Sequence, residues 1–179
     1  MRRRYLQSKG ILCLADEVQS GFGRTGTHFW AFQSYEEGNR FAASRQPQSR
    51  FCAHLDVVPD FVTMGKSMGN GFPVSALMTR RDITDQFHRH GVEYFNTYGG
   101  NPVSCRAALA VLEVMEKENL VEHARTVGLY LLEKLKEMGT RYEMIGDVRG
   151  RGLFIGVELV RNRTTREPAT EEAKAIKYR

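Results

Sequence analysis

The chain has 179 residues, and its 26 lysines and arginines exceed its 21 aspartates and glutamates to give a formal net charge of +5. Most of that excess lies in the first nine residues, and no basic stretch with stacking aromatics follows, so nucleic-acid binding is not expected. The three cysteines form no C-x-x-C pair, so we predict neither a disulfide framework, nor a metal site, nor secretion. No apolar run approaches the roughly 18 residues of a membrane-spanning helix, so no membrane partner is expected.

The first predicted element is a strand at residues 11–15, where Ile, Leu, Cys, Leu and Ala form one apolar run. A run that is apolar at every position is typical of a buried strand in a parallel sheet. Asp16 follows this run, at the edge where α/β folds bind their ligands. Asp16 is therefore a candidate site residue. The alternative is that its carboxylate only caps the next turn or pairs with a lysine.

Residues 21–26 read G-F-G-R-T-G and match the glycine pattern of dinucleotide-binding loops. In those loops the glycines follow a strand directly and open a helix that binds the pyrophosphate. Here five residues intervene, and the aromatic segment that follows has no clear helical period. We interpret the motif as a turn that brings the backbone close to another group, and nucleotide binding stays open as a weaker alternative.

The next candidate is Lys66, which a second predicted strand delivers into a glycine-rich stretch. It stands between Gly65 and the pair formed by Gly69 and Gly71. A lysine at the end of a buried strand is partly desolvated, and the glycines keep backbone atoms away from its amine, which suits a Schiff-base nucleophile. The alternative is a solvated lysine that only ends a strand.

The rest of the chain predicts alternating strands and helices around one polar segment. Residues 36–55 have almost no periodic apolar signal and predict a surface loop or a disordered insertion. Apolar runs predict strands, while helical periodicity and capping residues predict helices. These elements are a strand at 74–79, a helix at 82–88, a helix from Pro102, a helix at 120–138, a strand at 153–159 and a helix from Thr170.

Two further groups of residues are candidates for binding anions. Thr97 and the glycines at 99–100 come just before the helix expected at Pro102, where a hydroxyl and free backbone donors suit a phosphate, unless the glycines serve only the turn. Arg149 and Arg151 are candidates for an anionic substrate, although most arginines in such positions are solvated or paired.

Taken together, these motifs resemble the class III pyridoxal-phosphate aminotransferases. The resemblance rests on A-D-E-V-Q at 15–19, G-F-G-R-T-G at 21–26, G-K at 65–66, G-N-G-F-P at 69–73 and N-T-Y-G-G-N-P at 96–102. The chain looks most like the alanine-glyoxylate aminotransferase 2-like branch, which includes ethanolamine-phosphate and 5-phosphohydroxy-lysine phospho-lyases. The segments that point to this branch are 93–97, 102–105, 152–156 and 168–173.

The resemblance implies pyridoxal 5'-phosphate as cofactor and assigns a role to each candidate. Lys66 is expected to form the Schiff base and then to transfer the proton at the substrate's α-carbon. Asp16 is expected to face the pyridine nitrogen, Val18 to pack on one face of the ring, and Gln19 to hydrogen-bond the phenolic oxygen. Thr97 is expected to reach the cofactor phosphate of a neighbouring subunit, which implies a homodimer with shared sites.

The implied reaction is amino-group transfer, or phosphate elimination from a phosphorylated amine or amino acid, and the sequence does not choose between them. The implied location is mitochondrial or cytoplasmic. The alternative to an enzyme is a truncated, non-catalytic chain that retains the fold signature.

The fold class implied is α/β, as part of the pyridoxal-phosphate transferase fold. Residues 1–140 are expected to form the second half of the large mixed-sheet domain, with the insertion at 36–55. Residues 141–179 are expected to begin the small C-terminal α/β domain. The motifs of the family's N-terminal half are not found in this sequence. Without that half the sheet would have unpaired strand edges, so the chain alone is expected to aggregate.

Overall fold

The computed structural model of the protein describes residues 5–6, 8–35, 58–91 and 93–178. The insertion predicted at 36–55 lies outside these residues. The chain forms two compact units, one comprising Met1–Gly23 with His28–Leu120 and the other Arg24–Thr27 with Val121–Arg179. The domain division expected near residue 140 stays a prediction. Among the described residues, no helix is both long enough and apolar enough to cross a membrane.

The first unit contains a three-stranded mixed sheet in the order β1-β2-β3. Its strands are β1 (Leu14–Asp16), β2 (Phe61–Met64) and β3 (Ala76–Thr79). β1 runs parallel to β2, with Asp16 in register with Thr63, and β3 is antiparallel to β2. The parallel strand predicted at 11–15 is thus confirmed, although its paired segment begins at Leu14 and includes Asp16.

One face of this sheet carries the core of the first unit. Val62 is 3% exposed and forms a cluster with Phe22 and Trp30, against which Ala15 also packs. Successive side chains of a strand point to opposite faces, and Leu14, the neighbour of Ala15, is 55% exposed. The prediction that this apolar run is buried is therefore wrong for the Leu14 face, which no described element covers.

Two helices of the first unit confirm the predicted elements. They are α1 (Arg81–Arg89) and α2 (Pro102–Lys117). The Asn101 side chain accepts hydrogen bonds from the backbone N–H groups of Val103 at 3.0 Å and Ser104 at 3.2 Å, and a proline at the first helical position has no N–H that needs a partner. The apolar face of α2 packs on the cluster of Phe22, Trp30 and Val62.

The second unit contains nearly all of α3 (Leu120–Arg141), then β4 (Ile145–Arg151), β5 (Phe154–Asn162), β6 (Glu167–Pro168) and α4 (Thr170–Lys177). The three strands pair antiparallel in the order β4-β5-β6. The strand predicted at 153–159 and both helices are confirmed. β4 is not predicted, because its glycines and alternating charges show no apolar periodicity.

Glycines let the backbones of the second unit approach closely. A Cβ on Gly128 of α3 would lie 2.0 Å from the carbonyl oxygen of Gly152, and one on Gly26 would lie 2.6 Å from the Cα of Arg125. Both separations are far below van der Waals contact, so each position requires glycine. The backbone of Leu153 also donates a hydrogen bond to the carbonyl oxygen of Arg24 at 2.9 Å, which joins Arg24–Thr27 to the β4–β5 turn.

Candidate active site

Asp16 stands at the C-terminal end of β1, where the chain turns away from the sheet. Its Oδ1 accepts hydrogen bonds from the backbone N–H of Val18 at 3.1 Å and from the hydroxyl of Thr63 at 3.2 Å. The capping role weighed for this residue is therefore present, on one oxygen. Among the described residues, Oδ2 has no hydrogen-bond partner, so it is available to a donor from outside the chain.

Lys66 follows the neighbouring strand and points towards the same turn. Its Nζ donates a hydrogen bond to Oε1 of Gln19 at 2.8 Å. Lys66 is exposed in the described structure, and the partial desolvation expected of it stays a prediction. Its φ of +36° lies in the left-handed region, which costs a non-glycine residue about 1–3 kcal/mol and is common at functional sites.

The glycines around Lys66 shape the loop that holds it. A Cβ on Gly69 would lie 1.9 Å from the carbonyl oxygen of Phe72, so the chain can return there only with glycine. A Cβ on Gly65 would lie 3.5 Å from Cγ1 of Val18. A methyl group there would sit in ordinary van der Waals contact, so Gly65 lies beside the turn that follows Asp16 although space alone does not require a glycine.

Glu17 is the residue of this region that sequence reasoning missed. Its side chain is buried, with 3% of the residue exposed, and accepts three hydrogen bonds from the Ser20 hydroxyl and the backbone N–H groups of Ala31 and Phe32, each at 2.9 Å. The latter two open a short 3-10 helix, Ala31–Tyr35. The signal was the position of Glu17 directly after Asp16, since neighbours at a strand end face opposite sides of the sheet.

Thr97 is not brought together with these residues by any described contact. It is exposed in the turn before α2, where Asn96 accepts hydrogen bonds from the backbone N–H groups of Tyr98 at 3.1 Å and Gly99 at 3.0 Å. Asn101 already occupies two of the first N–H groups of α2. The cofactor-phosphate role expected of Thr97 stays a prediction.

The glycines of the G-x-G-x-x-G segment lie close to other atoms of the chain itself. A Cβ on Gly21 would lie 2.8 Å from the carbonyl oxygen of Glu17 and 3.1 Å from the Trp30 ring, while Gly26 meets the backbone of Arg125. A dinucleotide loop requires a helix that opens directly after the glycines, and residues 27–30 form none. The interpretation as a close-approach turn is confirmed, and the nucleotide alternative loses its structural basis.

The two candidate arginines of the second unit lie on β4. The guanidinium of Arg149 is paired with the carboxylates of Asp147 at 2.5 Å and Glu158 at 2.8 Å. These hydrogen bonds raise the pKa of Arg149 above its ordinary value. Nη1 of Arg149 already serves two carboxylates that offset its charge, which matches the paired alternative, whereas Arg151 is exposed. An anion-binding role of either arginine stays a prediction.

Comparison with known proteins gives this arrangement a family context. A model of the family described as aminotransferase class-III matches residues 49–176. A Drosophila melanogaster protein named alanine–glyoxylate aminotransferase 2-like is 46% identical over 94% of this chain and 30% of its own length. A Caenorhabditis elegans protein named ethanolamine-phosphate phospho-lyase homolog 1 is 46% identical over 92% of this chain and 31% of its own length. A human relative named alanine–glyoxylate aminotransferase 2, mitochondrial, is 41% identical over 93% of this chain and 28% of its own length.

Solved structures show the same fold. A phospholyase from Arthrobacter in complex with phosphoethanolamine aligns with a TM-score of 0.74 at 40% identity, over 93% of this chain and 34% of its own. A taurine:2-oxoglutarate aminotransferase from Bifidobacterium kashiwanohense, in complex with PLP and glutamate, aligns with a TM-score of 0.75 at 27% identity, over 93% of this chain and 33% of its own. The α/β fold prediction is confirmed, and the chain spans about a third of the length of the proteins that it matches.

Proposed function

Because the chain belongs to the class-III aminotransferase family, a family of pyridoxal-phosphate enzymes, we propose that it acts on amines at a pyridoxal 5'-phosphate site built around Lys66. One observation carries the proposal. The amine of Lys66 lies 2.8 Å from Oε1 of Gln19, on the turn that Asp16 begins, so that an amine, an amide and a carboxylate come from two neighbouring parallel strands.

The side chains present fit this cofactor in their chemistry. Lys66 supplies an exposed primary amine, which is the group that condenses with an aldehyde. Asp16 offers Oδ2, which has no hydrogen-bond partner among the described residues, and Val18 offers an aliphatic surface beside Gly65. When bound, pyridoxal phosphate supplies a pyridinium ring that stabilises negative charge at the substrate's α-carbon.

Each residue then has a distinct task. Asp16 would accept a hydrogen bond from the pyridine N–H and keep that proton in place, because a negative charge beside the ring favours its protonated form. The side-chain amide of Gln19 would donate to the phenolic oxygen, and Val18 would pack against the ring. Lys66 would hold the cofactor through its amine and, once that amine is free again, would remove and return a proton at the substrate's α-carbon.

The proposed substrate is a small primary amine or amino acid, and it is phosphorylated if the reaction is phosphate elimination. Amino-group transfer and phosphate elimination both begin with the proton removal assigned to Lys66, so this part of the site serves either reaction. We propose that Thr97 contacts the cofactor phosphate across a homodimer, and that the protein acts in mitochondria or cytoplasm. A human relative whose name includes mitochondrial supports the former location.

The test is an activity assay with two substrates. The chain is incubated with pyridoxal 5'-phosphate and either phosphoethanolamine, with release of inorganic phosphate measured, or alanine and glyoxylate, with pyruvate measured. One of these products is expected, and none with Lys66→Ala. The alternative of a non-catalytic chain predicts no product from either substrate. Product formation that survives Lys66→Ala would overturn the proposal.

A further inference from the structure

We infer that Glu17 is a positioning residue, whose buried carboxylate fixes the turn that presents Asp16 and Gln19 to Lys66. The inference rests on the proposed function, since it concerns the same site. Glu17 itself does not contact the Lys66 side chain, so its effect passes through the backbone of the turn.

Contacts of Glu17 join two distant segments of the first unit. Oε1 accepts the N–H of Phe32, while Oε2 accepts the N–H of Ala31 and the hydroxyl of Ser20, all at 2.9 Å. The residue's own backbone N–H donates to the carbonyl oxygen of Thr63 at 3.0 Å. The backbone of the turn is thereby bonded to β2 at Glu17, and the Glu17 side chain is bonded to the first residues of the 3-10 helix Ala31–Tyr35.

The charge of Glu17 is satisfied without a cation. Within the part of the chain that the structure describes, no lysine, arginine or histidine pairs with it, and its partners are two backbone N–H groups and one hydroxyl. A buried carboxylate is costly unless its oxygens are all hydrogen-bonded. Replacing it by glutamine would turn one acceptor oxygen into an NH₂ group that faces N–H donors, so the turn would have to shift.

A shift of this turn bears directly on the site, because Gln19 is two residues from Glu17 and its Oε1 receives the amine of Lys66. A second buried carboxylate provides a matched control. Asp60 is 1% exposed, accepts the N–H of Cys13 at 2.7 Å and pairs with Arg80 at 3.3 Å. It stabilises the opposite end of the β1–β2 pair, away from Gln19 and Lys66.

The experiment measures how fast Lys66 reacts with pyridoxal 5'-phosphate, by borohydride trapping and peptide mass spectrometry. The full chain is compared with Glu17→Gln, Ser20→Ala and Asp60→Asn, each also assayed for its unfolding midpoint and for amide hydrogen exchange of residues 16–20. Glu17→Gln is expected to slow Lys66 labelling about tenfold, which is the effect of one lost charged hydrogen bond. Ser20→Ala, which removes one of three donors, is expected to slow it less.

In Asp60→Asn, labelling is expected to stay within about twofold of the parent chain, even if its unfolding midpoint falls as far as that of Glu17→Gln. The reason is that the side-chain contacts described for Asp60 and for Glu17 involve different residues. Faster hydrogen exchange at residues 16–20 is expected in Glu17→Gln and not in Asp60→Asn. Unchanged labelling in both Glu17→Gln and Ser20→Ala, or an equal loss in Asp60→Asn, would overturn the inference. Failure of the parent chain to label at Lys66 would instead overturn the proposed function.

Discussion

Gly69 offers a test of how tightly the Lys66 loop is built. Its φ of −100° and ψ of −11° are open to any residue, so alanine meets no backbone strain there. The obstacle is space, because the new methyl group would lie 1.9 Å from the carbonyl oxygen of Phe72 and 2.7 Å from Cγ1 of Val74. A carbon and an oxygen without a bond between them need about 3.3 Å, so the loop must open by more than an ångström.

The cost of Gly69→Ala follows from that overlap. Overpacking a fixed backbone typically costs about 1–3 kcal/mol, and the clash falls between two backbone segments that have no rotamer to change. We therefore expect the free energy of unfolding to fall by about 3 kcal/mol. Because the backbone N–H groups of Gly69 and Asn70 bond the carbonyl oxygen of Lys66 at 3.3 Å and 3.1 Å, Lys66 labelling by pyridoxal 5'-phosphate should fall as well.

Two other glycine-to-alanine variants serve as controls for Gly69→Ala. The free energy of unfolding of all three variants is measured by urea denaturation. Gly71 has φ of +102° and open space where a methyl group would lie, so Gly71→Ala tests strain alone, for which about 1 kcal/mol is expected. Gly156 has open space and no positive φ, so Gly156→Ala should be close to neutral. A Gly69→Ala variant as stable as Gly156→Ala would refute the reasoning from contact distances.

Three further changes probe features outside the site. Asn101→Ala should lower the free energy of unfolding by about 1 kcal/mol, since it removes the cap of α2, as measured by urea denaturation. Arg163 donates to the carbonyl oxygens of Gly139, Tyr142, Glu143 and Ile145, from the last turn of α3 to the start of β4, so Arg163→Ala should cost about 1–2 kcal/mol and Arg163→Lys less, by thermal unfolding. The hydrogen bond from Arg106 lowers the pKa of Glu113, so the pair stabilises the chain above the ordinary carboxyl pKa and this contribution is lost as the pH falls through the lowered value. NMR titration should show that Arg106→Ala brings the Glu113 pKa back up.

Local signals predict much of the fold. Asn101 followed by Pro102 announces a helix start through the chemistry of two residues, and the apolar run before Asp16 indicates a parallel strand. β4 escapes prediction because its pairing with β5 comes from contacts along the hairpin, while its own glycines and charges carry no strand pattern. The burial of residues 11–15 is overestimated from sequence because an apolar run does not say which of its faces another element covers.

In the candidate site, too, local motifs predict which residues take part, whereas burial and exposure depend on distant segments. Motifs select Lys66, Gln19 and Asp16, and the 2.8 Å contact between Lys66 and Gln19 gives two of them a shared geometry. The exposure of Lys66 depends on which other segments cover the end of β2, and the burial of Glu17 depends on the segment at 31–32, whose N–H groups bond its carboxylate. Both depend on distant parts of the chain, which no local pattern encodes.

The most direct test of the central claim is a peptide map of every lysine after the chain is treated with limiting pyridoxal 5'-phosphate and borohydride. If Asp16, Gln19 and Lys66 form one site, Lys66 should carry most of the label, and Gln19→Leu and Asp16→Asn should both reduce it. Lys134, Lys136 and Lys174 are also exposed and serve as internal controls for unspecific reaction. A label spread evenly over these lysines and Lys66, and unchanged by either variant, would contradict the claim.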